Sequence, residues 1–187
     1  MDLVGYNMGV CDCKFLNNII IGNGYGMYFD SSPGNIIFGN IISGNIISSN
    51  NYNGIMIICH SNYEDLTEEE IIINNIPEYY ITPIDTVISR NIISNNSDGI
   101  FVDDYSCGNN ICGNLISNNS FCGVFIGYSW ADLHFNSITS NRYGLYVDSG
   151  SYRIVNATNN WWGTNNISYL NSTSQLFLVI SGIRMVL

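Results

Sequence analysis

One phrase recurs along this chain and constrains its fold more than any other feature. A Gly is followed by three mostly apolar residues, then, after a polar gap, by Asn-apolar-Ile-Ser-Asn or a close variant. It reads Asp98-Gly99-Ile100-Phe101-Val102-Asp103, then Asn114-Leu115-Ile116-Ser117-Asn118. It returns as Cys122-Gly123-Val124-Phe125-Ile126, then Asn136-Ser137-Ile138-Thr139-Ser140-Asn141, and again as Tyr143-Gly144-Leu145-Tyr146-Val147-Asp148. Gly26, Gly54, Gly99, Gly123 and Gly144 mark the phase, with steps of 28, 45, 24 and 21 residues. The step of 45 is close to two repeats. Ile76-Pro77-Glu78-Tyr79-Tyr80-Ile81 overlays Ser97 to Val102 at an offset of 21, which predicts a degenerate coil there with Glu78 in the Gly position. Self-similarity at such a period is the signature of a solenoid.

The residue types decide which solenoid. Asn, Ile, Gly, Ser and Tyr dominate, Leu is scarce, and β-branched and aromatic residues favour strands over helices. The expectation is an all-β chain, a right-handed parallel β-helix of about six to seven coils of 21–28 residues. One repeat domain over 1–166 would be followed by a segment, 167–187, read as a cap or a truncated region.

Alternate residues of a strand share a face. The first place after each phase marker holds Met27, Ile55, Tyr79, Ile100, Val124 and Leu145, and the third holds Phe29, Ile57, Ile81, Val102, Ile126 and Val147. Both columns are apolar and predict the core. The second place, which should point outward, holds Tyr28, Met56, Tyr80, Phe101, Phe125 and Tyr146. The fourth holds Asp30, Ile58, Thr82, Asp103, Gly127 and Asp148. This predicts an outward aromatic strip edged by carboxylates. Stacked rings stabilise a sheet like other cross-strand pairs. They can equally serve as a platform for sugar rings, whose hydroxyls the carboxylates accept. Tyr28, Tyr80, Phe101, Phe125, Tyr146, Asp103 and Asp148 are therefore the candidate ligand-binding residues. Four places before the markers stand Asn50, Asn74, Asn95 and Asn119, with Ser140 in the last coil. They are expected to form a turn ladder, since Asn tolerates left-handed geometry and bonds to its equivalents in adjacent coils.

Composition narrows the function classes. The net charge is −10 with only 5 Lys and Arg, so the chain lacks the cations that displace counterions from phosphates, and nucleic acid is excluded as a partner. Anionic membrane surfaces are disfavoured for the same reason. The apolar stretch from Leu176 to Leu187 is too short to span a bilayer. The start, Met1 to Gly5, shows no signal-peptide pattern and reads as beginning inside a repeat, as a piece of a longer protein would.

Chemistry is sparse. Polysaccharide lyases and pectin-type hydrolases share this architecture, so the acidic cluster Asp103, Asp104 and Asp148 is weighed as a catalytic site. Asp103 and Asp148 would lie two coils apart, about 10 Å, with Gly127 between. No basic residue repeats beside them, and no catalytic residue is assigned. His60 and His134 have no His partner at ligand spacing, so no metal site is assigned. The acidic segment Ser61 to Glu70 lacks the ligand spacing of a calcium loop and reads as a projecting loop, with calcium the one ion it would suit and no cofactor expected. The cysteines, Cys11, Cys13, Cys59, Cys107, Cys112 and Cys122, hold no CxxC pair and read as small core residues. Cys107–Cys112 and Cys112–Cys122 are the pairs that could bridge. Sequons begin at Asn95, Asn118, Asn156, Asn166 and Asn171 and permit glycosylation without showing it.

The phrase Asn156-Ala157-Thr158-Asn159-Asn160-Trp161-Trp162-Gly163-Thr164-Asn165, after the Asn-Ile-Ile-Ser-Asn coils, resembles the β-helix repeat proteins of methanogenic archaea often called adhesin-like proteins. The likeness covers about residues 9–166. It implies an extracellular or cell-surface protein that contacts polysaccharide, cell-surface glycan or a partner surface. It implies no catalytic residues. Trp161 and Trp162 match the family phrase and are read as end-capping core residues. The favoured reading is a non-enzymatic surface module. A carbohydrate-active enzyme using the acidic cluster, and a structural spacer or gene fragment, are the alternatives.

Overall fold

The computed structural model describes residues 2–4, 13–30, 41–58, 86–103, 106, 108–129, 131–148, 155–163 and 176–178. No helix occurs among them. Strand β1 (Asp2–Val4) precedes five coils of three short strands each. They are β2 (Lys14–Leu16), β3 (Ile19–Ile21) and β4 (Met27–Asp30); β5 (Ile41–Ser43), β6 (Ile46–Ser48) and β7 (Ile55–Ile58); β8 (Val87–Ser89), β9 (Ile92–Ser94) and β10 (Ile100–Asp103). Then follow β11 (Asn109–Cys112), β12 (Leu115–Ser117) and β13 (Cys122–Ile126); and β14 (Ala131–His134), β15 (Ser137–Thr139) and β16 (Tyr143–Val147). Strand β17 (Leu176–Leu178) comes last. Equivalent strands stack in parallel into three sheets. The first has seven strands in the order β1-β4-β7-β10-β13-β16-β17. The second, β2-β5-β8-β11-β14, and the third, β3-β6-β9-β12-β15, have five each.

The expected core columns are the observed core. Met27, Ile55, Ile100, Val124 and Leu145, with Phe29, Ile57, Val102, Ile126 and Val147, are all buried. The second sheet adds Ile42, Ile88, Ile111 and Leu133, and the third adds Ile47, Ile93, Ile116 and Ile138. Each first-sheet strand from β4 to β16 thus gives two apolar side chains to its layer, and each strand of the second and third sheets from β5 to β15 gives one Ile or Leu. Each such burial contributes about 1.5–3 kcal/mol, and its gain depends on the coil above and below being in place.

The phase-marking Gly residues are fixed by space rather than by φ. A Cβ on Gly54, Gly99 or Gly123 would come within 2.6, 2.5 and 2.6 Å of the next Gly carbonyl oxygen in the stack. Each would also crowd an Ile methyl and an Asn amide. The coils touch backbone to backbone along this column, and no side chain fits there.

This corrects the expectation of a coil between Gly54 and Gly99. Ile55 to Ile58 pair directly with Ile100 to Asp103, Ile41 with Val87, and Ile46 with Ile92. The stack has no rung for residues 76–81, which lie outside the described residues. Glu78 could not occupy a column that excludes even a Cβ. Against the six to seven coils expected, the described residues form five complete ones, flanked by β1 and β17.

Two Asn ladders hold the corners. The first runs Asn18, Asn45, Asn91, Asn114, Asn136, Asn160, and the second Asn23, Asn50, Asn96, Asn119, Asn141. The pattern repeats at each rung. Asn114 Oδ1 accepts from the backbone N–H and the Nδ2 of Asn91, at 2.9 and 3.0 Å. Its Nδ2 donates to the Ile88 carbonyl at 2.8 Å and to Asn136 Oδ1 at 2.9 Å. Each ladder Asn follows a residue of positive φ: Asn17, Gly44, Arg90, Gly113, Phe135 and Asn159 in the first, Gly22, Ser49, Asn95, Asn118 and Ser140 in the second. The predicted Asn column mixed these two roles. Asn50 and Asn119 are ladder rungs, whereas Asn95 and Ser140 are the left-handed residues that precede rungs Asn96 and Asn141. Asn74 lies outside the described residues.

Neither bridge considered for Cys112 is formed: Cys112 and Cys122 are free thiols. Trp162 is buried in the core, but Trp161 is exposed and bridges to Ser137 on the outer face, so only one of the pair is a core residue. It ends an exposed aliphatic column on the third sheet, Ile19-Ile46-Ile92-Leu115.

Candidate functional site

The first sheet carries the predicted strip. Its register aligns Tyr28, Met56, Phe101, Phe125 and Tyr146 in one outward column, and β17 adds Phe177 as the backbone partner of Tyr146. Tyr28, Met56, Phe101, Phe125 and Tyr146 are half-buried, between fully buried neighbours. Sequence reading missed the pairing of β17 with β16, because β17 lies beyond the last recognisable repeat. Tyr80 lies outside the described residues. In this sheet no strand stands between β7 and β10, where Met56 sits directly opposite Phe101.

The rings face one another. Phe101 and Phe125 stack at 4.5 Å between centroids with 4° between planes, and Phe125 and Tyr146 at 5.3 Å and 7°. Their π faces are therefore covered by their neighbours, and the strip presents ring edges. Face-on stacking of a sugar needs an open face, which these ladder rings do not offer each other's ligands.

Open ring surface occurs beside the ladder, in aromatics just upstream of the Gly column. Phe121 is 38% exposed and meets Tyr143 edge to face at 5.3 Å and 83°. Tyr143 lies 6.0 Å from Tyr146 at 67°, and the Arg142 guanidinium sits 5.5 Å above the Tyr143 ring. At the other end Tyr25 contacts both Tyr28 and Tyr52, at 5.3 and 5.0 Å, and Tyr52 is strongly exposed. The signal was present in the sequence: Tyr25, Tyr52, Phe121 and Tyr143 each stand one or two places before a phase-marking Gly.

The expected outward carboxylate edge is found only in part: Asp103 and Asp148 are half-buried, whereas Ile58 of the same column turns into the core. Register places Asp30, Ile58, Asp103, Gly127 and Asp148 in one column. Asp103 Oδ1 accepts the Tyr128 backbone N–H at 2.8 Å. Its carboxylate lies over Gly127, where any Cβ would collide with it. The absence of a side chain at Gly127 makes this seat, and the carboxylate ties the turn after β13 to the coil below. Asp103 and Asp148 are two strand spacings apart, about 10 Å. Asp104 and His60, and the acidic segment 61–70, lie outside the described residues.

Beneath the strip, Asp98 accepts the Cys122 N–H at 3.0 Å. Burial raises the Asp98 carboxyl above its ordinary range, against the lowering effect of the Cys122 hydrogen bonds. Burial, reinforced by the neighbouring Asp98, pushes the Cys122 thiol far up. That sulfur is an inert core group.

The family model described as right handed beta helix region matches residues 5–162, which is most of the chain. The chain belongs to the right-handed β-helix family. Its parallel sheets, stacked Gly column and Asn-lined corners are the physical content of that membership, and the handedness expected from the repeat is that of the family. Neither the curated proteins nor the solved structures yield a match to this β-helix.

Proposed function

We propose that this β-helix is a non-enzymatic, adhesin-like module of a surface or secreted protein, and that it holds a glycan on the first sheet. The observation that carries the reading is the cluster Phe121, Tyr143 and Tyr146 at the side of the ladder. There, tilted and partly exposed rings stand next to Arg142 and within one strand of Asp148. Apolar ring surface with a few hydrogen-bonding groups around it is the usual makeup of a sugar site. The stacked Phe101 and Phe125 support that cluster from below as part of the sheet. Asp103 serves the turn at Tyr128, which favours the binding reading over the acidic pair as a catalytic dyad.

The test compares retention on a glycan array and on insoluble polysaccharides for the natural chain, the Phe121→Ala/Tyr143→Ala variant and Phe101→Ala. An aromatic contact is worth about 0.5–1.5 kcal/mol, so the double variant should lose about tenfold or more in affinity with the fold intact. Phe101→Ala should lower stability while leaving affinity nearly unchanged. Equal retention by the double variant and the natural chain refutes the site. Release of reducing or unsaturated sugar that disappears in Asp148→Ala refutes the non-enzymatic reading.

A further inference from the structure

On the second sheet the coil brings together two residues that lie 22 positions apart in sequence, Cys112 and His134. They are direct register partners on β11 and β14. Both strands alternate buried and half-buried residues. Ile111 and Leu133 point into the core, so Cys112 and His134 stand side by side on the outer face. Cys112 is a free thiol. The His134 ring is braced edge-on by Phe135 at 5.4 Å and 88°. We propose that Cys112 and His134 form a two-ligand site for a soft monovalent metal ion, gripped between adjacent rungs of the sheet.

The spacing suits it. Side chains of adjacent parallel strands rise about 4.8 Å apart. Metal–thiolate and metal–imidazole bonds of about 2.3 and 2.0 Å, the lengths known for zinc, together span nearly that distance in a straight line. A slight lean of the two side chains closes the remainder. Among the described residues no group of three or more His, Cys, Asp or Glu is placed to hold a metal. A two-donor set disfavours ions that require four ligands and suits soft, linear, two-coordinate ones, for which thiolate and imidazole are good donors. Asp132, two residues before His134 on the same face, adds negative charge near the cation. Binding replaces a proton: the Cys112 S–H bond breaks, a sulfur–metal bond forms, and the proton leaves to solvent.

The experiment titrates Ag(I) into the reduced full chain, alkylates the remaining free thiols with iodoacetamide, and maps each Cys peptide by mass spectrometry. Cys112 should be protected at lower Ag(I) than Cys13, and His134→Gln or His134→Ala should weaken its protection by about tenfold. The imidazole nitrogen signals of His134 should shift in the same range of Ag(I), by nuclear magnetic resonance. Protection of Cys112 that is indifferent to both His134 variants, or that comes no earlier than that of Cys13, overturns the proposal.

Discussion

Replacing Asn114 by Ala tests the ladders where they are most enclosed. Asn114 is 2% exposed and joins three consecutive coils. Truncation strips the Asn91 backbone N–H of its 2.9 Å acceptor and the Ile88 carbonyl of its 2.8 Å donor. Asn91 Nδ2 keeps the Ile42 carbonyl at 3.0 Å, and Asn136 Oδ1 keeps the Asn114 N–H at 2.9 Å, so those two groups remain partly satisfied. The Asn91 N–H is left without its partner, at about 1–3 kcal/mol, while the Ile88 carbonyl loses one donor and keeps its place in the β8–β11 pairing. The cost should concentrate in coils three to five, because solenoid stability is carried by nearest-neighbour interfaces. Urea unfolding followed by circular dichroism reads the total, and hydrogen exchange at the Asn91 amide reads the local loss. Exposed Asn118→Gly, at the preceding left-handed position of the other ladder, is the control and should be nearly neutral. A change below about 0.5 kcal/mol for Asn114→Ala, the level of ordinary surface substitutions, would refute the claim that the ladder holds the coils together.

Two further outcomes follow from local geometry. Phe135 is 69% exposed with φ 58°, in a column where Gly44 and Gly113 serve the same turn. Phe135→Gly should stabilise by about 1 kcal/mol by removing the left-handed strain, read as a higher unfolding midpoint. Asp98 has its carboxyl raised by burial above the ordinary 3.8, so its protonated form favours the fold. That stability is full below the ordinary value and lost as pH rises through the raised one. Asp98→Asn keeps an acceptor for Cys122 and should be more stable than the natural chain at neutral pH. The difference should vanish in acid, as followed by thermal unfolding across pH 3–7.

Much of the fold was legible because the strand period and the coil period are both written in side-chain type. Ile100 and Val102 face inward and Phe101 outward simply because alternate residues share a face, and Gly99 marks the phase because the backbones touch there. Two things were not legible. The 45-residue step from Gly54 to Gly99 equals nearly two periods, so arithmetic alone inserted a coil that the Gly column sterically forbids. The corners vary by one residue: Asn50 lies four places before its Gly, Asn96 only three before its own, so counting from Gly slid onto Asn95. At the candidate site, the ladder of Phe101, Phe125 and Tyr146 was foreseeable from spacing. The mutual covering of their faces was not, since it depends on χ angles. Nor was the meeting of Cys112 with His134, which only the register across one coil reveals.

Direct stacking of the coil ending at Ile58 upon the coil starting at Val87 makes the strip from Tyr28 to Tyr146 continuous. Strand β13 ends at Ile126 and β14 begins at Ala131, so four residues suffice to pass from the first sheet to the second. Deleting residues 61–84 leaves four between Ile58 and Val87. The measurement is hydrogen exchange on that deletion variant, compared with the natural chain over β5 to β10. Unchanged protection of the Ile55 to Ile58 and Ile100 to Asp103 amides is the predicted result. Loss of protection in those strands, with protection kept in β11 to β16, would show that residues 61–84 supply a rung of the stack and would contradict the account.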